Sequence, residues 1–100
     1  MNNTASTNSQ PTSNPFSVQI MSTKIRKLRE MYGYPQEYVA FQMGISQAAY
    51  SKKEAGRTEL SLFCLHKIAL IYGLSIIDLI SLSAQELLLK VLQSDTGACA

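Results

Sequence analysis

One hundred residues leave room for one domain with a small core, and a composition 46% apolar and 16% charged is that of a globular chain carrying some polar sequence. A net charge of +2 excludes a strongly basic coat, and two cysteines exclude a disulfide framework, so Cys64 reads as a small buried hydrophobe and Cys99 as a tail residue of a protein expected in the reducing cytoplasm. No apolar run reaches the roughly 18 residues of a membrane span, because the greasiest stretch, 68–82, is interrupted by Gly73 and Asp78.

The chain opens on a segment with no charged residue before Lys24, in which positions 2–14 are almost wholly Asn, Ser, Thr, Gln, Pro and Ala. Such sequence buries too little apolar surface to offset its ordering entropy, which predicts a disordered arm over 1–21. It lacks the basic start and continuous apolar stretch of a secretory signal.

From residue 22 the periodicity is helical and nowhere alternates like a strand. Helix one is predicted over 23–32, capped by Ser22 or Thr23, with Ile25, Leu28, Met31 and Tyr32 inward and Gly33 as its stop. Helix two follows over 35–43, with Pro35 at the first position and Val39, Ala40 and Met43 inward. Gly44 makes a turn, Ile45 plugs it, and Ser46 caps helix three over 47–55, closed by Gly56. Ser61 caps helix four, whose inner face is Leu62, Leu65, Ile68, Ala69 and Tyr72, and Ser75 caps helix five over 76–81, with Ile76, Leu79 and Ile80 inward. A domain over 22–82 is therefore expected. Beyond it, Ser83 and Glu86 form a capping box for a short helix over 83–93, and 94–100 is expected to fray as a tail. The fold class predicted is all-α: a compact five-helix domain plus a short C-terminal helix.

Residues 22–82 carry eight basic groups against five acidic ones. Four lie within 24–29 (Lys24, Arg26, Lys27, Arg29) and three within 52–57 (Lys52, Lys53, Arg57). Two basic clusters flanking one short segment suit phosphate contacts on either side of a groove, although two solvated helix faces would read the same. Between them, helices two and three joined at Gly44 make the helix-turn-helix pattern: Ala40 is small where the helices cross, and polar residues fill the outer face of helix three.

The stretches 25–29 (IRKLR), 36–40 (QEYVA), 44–47 (GISQ), 50–52 (YSK), 54–57 (EAGR), 67–69 (KIA) and 73–75 (GLS) together resemble the Cro and phage-repressor family of helix-turn-helix domains, and the resemblance runs from about Lys24 to Ser81. It implies a Cro/repressor-like fold that binds double-stranded DNA. By that resemblance Ser46, Gln47, Ala48 and Lys52 lie at the start and along the outer face of the recognition helix, and Gln36, Ser46, Ser51 and Arg57 contact phosphates. Gln47 can pair with an adenine edge, Ala48 or Ala49 can touch a thymine methyl, and Lys52 can reach a guanine or a phosphate. The family also pairs an arginine and a glutamate where Arg29 and Glu54 stand. This chain departs from the family at Pro35, where a capping Ser, Thr or Asn is usual, at Lys53 and Leu60, and at Phe63, where a charge is usual.

The implied function is a transcriptional regulator, a repressor in the first instance. The alternative is an antitoxin that binds a toxin protein and autoregulates its operon. The domain core looks complete through Ile80, so the stripe Leu87, Leu88, Val91 and Leu92 is assigned to a homodimer contact rather than to its own domain. No phosphate loop, nucleophile set or metal-ligand cluster is present in the sequence, and Cys64 and His66 point to different sides of one helix. No enzyme activity, cofactor, metal or small-molecule substrate is expected.

Overall fold

The computed structural model describes residues 17–99, and the side chains of 17–93. These form six helices: α1 (Val18–Tyr32), α2 (Gln36–Met43), α3 (Gln47–Glu54), α4 (Leu62–Ile71), α5 (Ile76–Ser81) and α6 (Ala84–Cys99), with no strand among the described residues. Serine hydroxyls start five of them by accepting an orphan amide hydrogen: Ser17 from Ile20, Ser46 from Ala49, Ser61 from Cys64, Ser75 from Asp78 and Ser83 from Glu86. The carboxylate of Glu86 accepts in return from the Ser83 amide, so the capping box forms as read. Only α2 starts without a side-chain cap, on Pro35.

The fold is all-α as expected, and its two ends differ from expectation. Helix α1 begins at Val18, capped by Ser17, more than a turn before Thr23. The short run Val18–Met21 extends the apolar stripe of Ile25 and Leu28 backwards at helical spacing, and Met21 is buried. The arm assigned to 1–21 thus loses its last residues to α1, and 1–16 lie outside the described residues. Ser22, taken as a possible cap, is buried inside α1 and lies beneath Gly56, where an added Cβ would come within 3.3 Å of its hydroxyl.

At the other end α6 continues to Cys99, past the predicted stop at Gln93. It runs beside α1 in the same direction, with Ser83 and Ala84 near Gln19–Lys24 and with Val91 and Leu92 near Met31 and Tyr32. Leu87 is fully buried and Val91 nearly so, both within the single core that holds Ile25, Leu28, Val39, Tyr50, Ile68 and Leu79. The assignment of all four stripe residues to a dimer contact is therefore corrected. A 15-residue α1 leaves an apolar flank that the five-helix core does not cover, and α6 covers it. Leu88 is half-buried and Leu92 is 48% exposed.

Two smaller expectations also change. Leu62, placed inward, is exposed, because the buried arc of α4 is centred on Leu65, Ile68, Ala69 and Tyr72 and Leu62 falls at its edge. Lys24, counted among the basic groups facing a phosphate, is buried, and its ammonium donates to the carbonyls of Leu79 (3.0 Å) and Ile80 (2.8 Å) near the end of α5. Burial lowers its pKa, opposed in part by the nearby Glu86 charge.

Candidate nucleic-acid interface

Helix α2 ends because Gly44 takes a left-handed conformation (φ 74°), which a side chain would strain. That bend lets the Ile45 amide reach back to the Ala40 carbonyl at 3.0 Å and satisfy it. The Lys67 ammonium donates to the Met43 carbonyl at 3.1 Å, so α4 holds the end of α2 in place. Ala40 is buried between the packed helices α2 and α3, and Ile45 closes the turn against the core.

At 3.6 residues per turn α3 has two unlike faces. Tyr50 and Glu54 are buried on one. Gln47, Ala48 and Lys52 are exposed on the other, with Ser51 half-exposed beside them. The outer face thus offers an amide, a methyl and an ammonium, the groups that read base edges in a major groove. Ser46 accepts the Ala49 amide at 3.1 Å, which leaves its own hydroxyl hydrogen to donate outward. Arg57 is exposed just past Gly56, its backbone amide tied to the Lys52 carbonyl at 2.9 Å.

The inner face is locked by Glu54. Arg29 approaches its carboxylate in a two-point contact, Nε to Oε2 at 2.7 Å and Nη2 to Oε1 at 2.9 Å, as the expected ion pair requires. Tyr50 donates to Oε2 at 2.8 Å and Gln36 to Oε1 at 2.9 Å, and Arg29 Nη1 also donates to the Tyr34 carbonyl at 2.9 Å. Burial by itself would raise the Glu54 pKa, but the hydrogen bonds from Arg29, Gln36 and Tyr50 hold it below the ordinary carboxylate value. Arg29 is correspondingly held more firmly protonated by its hydrogen bond to Glu54.

The structure therefore brings Gln47, Ala48, Lys52, Ser46, Ser51 and Arg57 to the exposed side of one helix and its ends, and Gln36 to the base of the same helix through Glu54. Sequence reading missed the Gln36–Glu54 and Tyr50–Glu54 bonds. The second had a signal, since Tyr50 and Glu54 stand four apart on α3 and must share a face. It also missed Phe41, the most exposed large apolar side chain among the described residues, and Phe63 is exposed too, with the Lys67 ammonium 4.9 Å from its ring centre.

Among the described residues no three His, Cys, Asp or Glu side chains cluster to hold a metal, and no helix is long and apolar enough to cross a membrane. Neither the curated proteins nor the solved structures hold a significant match to the chain. The family model described as helix-turn-helix matches residues 25–79, from the middle of α1 to the middle of α5. With more than half its length matched, and with Gly44, the Ser46 cap and the two-faced α3 where that pattern requires them, the chain belongs to the Cro/phage-repressor family of DNA-binding helix-turn-helix regulators.

Proposed function

We propose that the protein is a cytoplasmic, sequence-specific repressor that inserts α3 into the major groove of operator DNA as a homodimer. The observation that carries the reading is the division of α3, whose outer residues Gln47, Ala48 and Lys52 are exposed while its inner residues Tyr50 and Glu54 are fixed in the core. In this reading Gln47 reads an adenine, Ala48 touches a thymine methyl and Lys52 reaches a guanine or a phosphate. Gln36, Ser46, Ser51 and Arg57 set the register by contacting phosphates.

Binding-site selection followed by affinity measurement tests the assignment. Gln47→Ala is expected to weaken specific binding by roughly 1–3 kcal/mol and to relax one base position per half-site. Arg57→Ala is expected to weaken binding to all sequences and to reduce the salt slope by about one unit. An unchanged selected site with Gln47→Ala would remove Gln47 from base reading.

A homodimer follows from size, because a single module buries only about 600–1,000 Å² on DNA. With Leu87 and Val91 taken into the core, the outer arc of α6 offers the half-buried Leu88 and the exposed Leu89 and Leu92 for that contact. The second reading, an antitoxin holding a toxin protein, is favoured by one observation: Phe41, Phe63 and Leu70 are exposed apolar side chains outside the recognition face. Co-expression with the product of an adjoining gene decides it, since a stoichiometric complex lost with Phe63→Glu would support the antitoxin.

A further inference from the structure

The geometry points to Glu54 as a positioning residue for DNA binding: it fixes the side-chain amide of Gln36 in the orientation that leaves its second N–H to donate to the DNA backbone. The inference rests on the reading of Gln36 as a phosphate contact.

A carboxylate can only accept hydrogen bonds, so the edge of the Gln36 amide turned toward Glu54 must be its Nε2, as the 2.9 Å contact to Oε1 shows. A flipped amide would set two acceptor oxygens against each other at that distance. One Nε2 hydrogen is thereby consumed, and the second hydrogen and Oε1 are left for other partners.

The carboxylate that does this cannot itself turn. Arg29 grips both its oxygens, and the Tyr50 hydroxyl holds Oε2 from within α3. Arg29 in turn holds the Tyr34 carbonyl, one residue before Pro35, so the entry to α2 and the end of α3 are tied to one guanidinium. A glutamine free in solution would lose its rotamer freedom on meeting a phosphate. Here that loss is already taken on folding, which favours binding. The arrangement also answers an electrostatic difficulty: a bare carboxylate at the base of a recognition helix would repel DNA, and Arg29 neutralises it.

The test is a double-mutant cycle on random-sequence duplex at fixed salt, with each protein confirmed folded by circular dichroism. Gln36→Ala and Glu54→Gln are each expected to lose about three- to tenfold in affinity, the worth of one hydrogen bond. The double variant is expected to lose no more than Gln36→Ala alone. Losses that multiply would show that Glu54 acts on the fold only, and would overturn the inference. An unchanged affinity for Gln36→Ala would overturn it by removing its premise, leaving the recognition helix untouched as a reading. A wild-type protein that fails to bind duplex at all would instead sink the repressor. Because Glu54→Gln can unfold the chain, a second measurement uses the wild type alone. Nitrogen relaxation of the Gln36 side-chain amide is expected to match the rigid backbone before DNA is added, and a freely moving amide would overturn the proposal.

Discussion

Glu54 carries four hydrogen bonds on two oxygens, and its carboxyl is held below its ordinary pKa against the opposing effect of burial. An unfolded chain binds that proton near pH 4.3, so the stability Glu54 contributes is fully present above that value and is lost as pH falls through the lower folded one. The urea midpoint of the wild type is therefore expected to fall as the pH drops below about 4.3. Glu54→Gln is expected to start lower at pH 7, by about 3–5 kcal/mol if Arg29 is left unpaired, and to change less over the same range. Equal acid dependence in the two proteins would mean that other carboxylates govern it. Tyr72 presents the opposite case: its hydroxyl is buried with no hydrogen-bond partner among the described residues, and burial pushes its pKa up. Tyr72→Phe removes an unpaired polar atom and keeps the ring against Tyr32 and Tyr34, so stability is expected to hold or to rise by up to about 1 kcal/mol. A loss beyond about 1 kcal/mol would show the hydroxyl to be in use. The Arg29–Glu54 pair was legible because the family resemblance supplied both partners. Gln36 was legible only as a surface contact, since nothing in a one-dimensional spacing of 18 residues states that two side chains meet.

The helix boundaries at Gly33, Gly44, Gly56 and Gly73 were legible, as were the serine caps after residue 45, because backbone conformation and orphan amides are local demands met by local residues. Charge was less legible, because a lysine on an amphipathic helix reads the same whether its head meets water or a carbonyl. Lys24 makes the difference measurable. Its ammonium satisfies two carbonyls near the end of α5, one of them buried, so Lys24→Met is expected to cost about 1–3 kcal/mol in stability. The same change is expected to leave the salt slope of DNA binding unaltered, unlike the loss of an exposed cation such as Arg57. Thermal melting and a salt titration on one sample check both halves. A reduced slope would return Lys24 to the phosphate contacts.

At the scale of the whole molecule the sequence misled on what α6 is for. A core that reads as complete through Ile80 leaves the stripe beyond residue 83 two homes, its own domain's surface or a second copy, and helical periodicity alone does not choose between them. In the fold α6 lies along α1 in the same direction, and Leu87 and Val91 join the core there. Cutting the chain after Ser83 is therefore expected to unfold it rather than to free a monomer. Leu87→Ala, which empties a fully buried site, is expected to cost about 2–5 kcal/mol. Leu89 provides the contrast. It is 57% exposed, so Leu89→Lys is expected to change stability by less than about 0.5 kcal/mol. If the outer arc of α6 pairs two copies, the same substitution places two like charges across the twofold axis and separates them. Sedimentation at micromolar concentration, with and without a two-half-site operator, is expected to give a dimer for the wild type and a monomer for Leu89→Lys. The variant is then expected to bind a palindrome no better than a half-site, because its two recognition helices are no longer held about 34 Å apart. A Leu89→Lys protein that still pairs would move the contact to another exposed apolar face, with Phe63 and Leu70 on α4 the next to test. A wild type that stays monomeric on that operator would end the dimer itself.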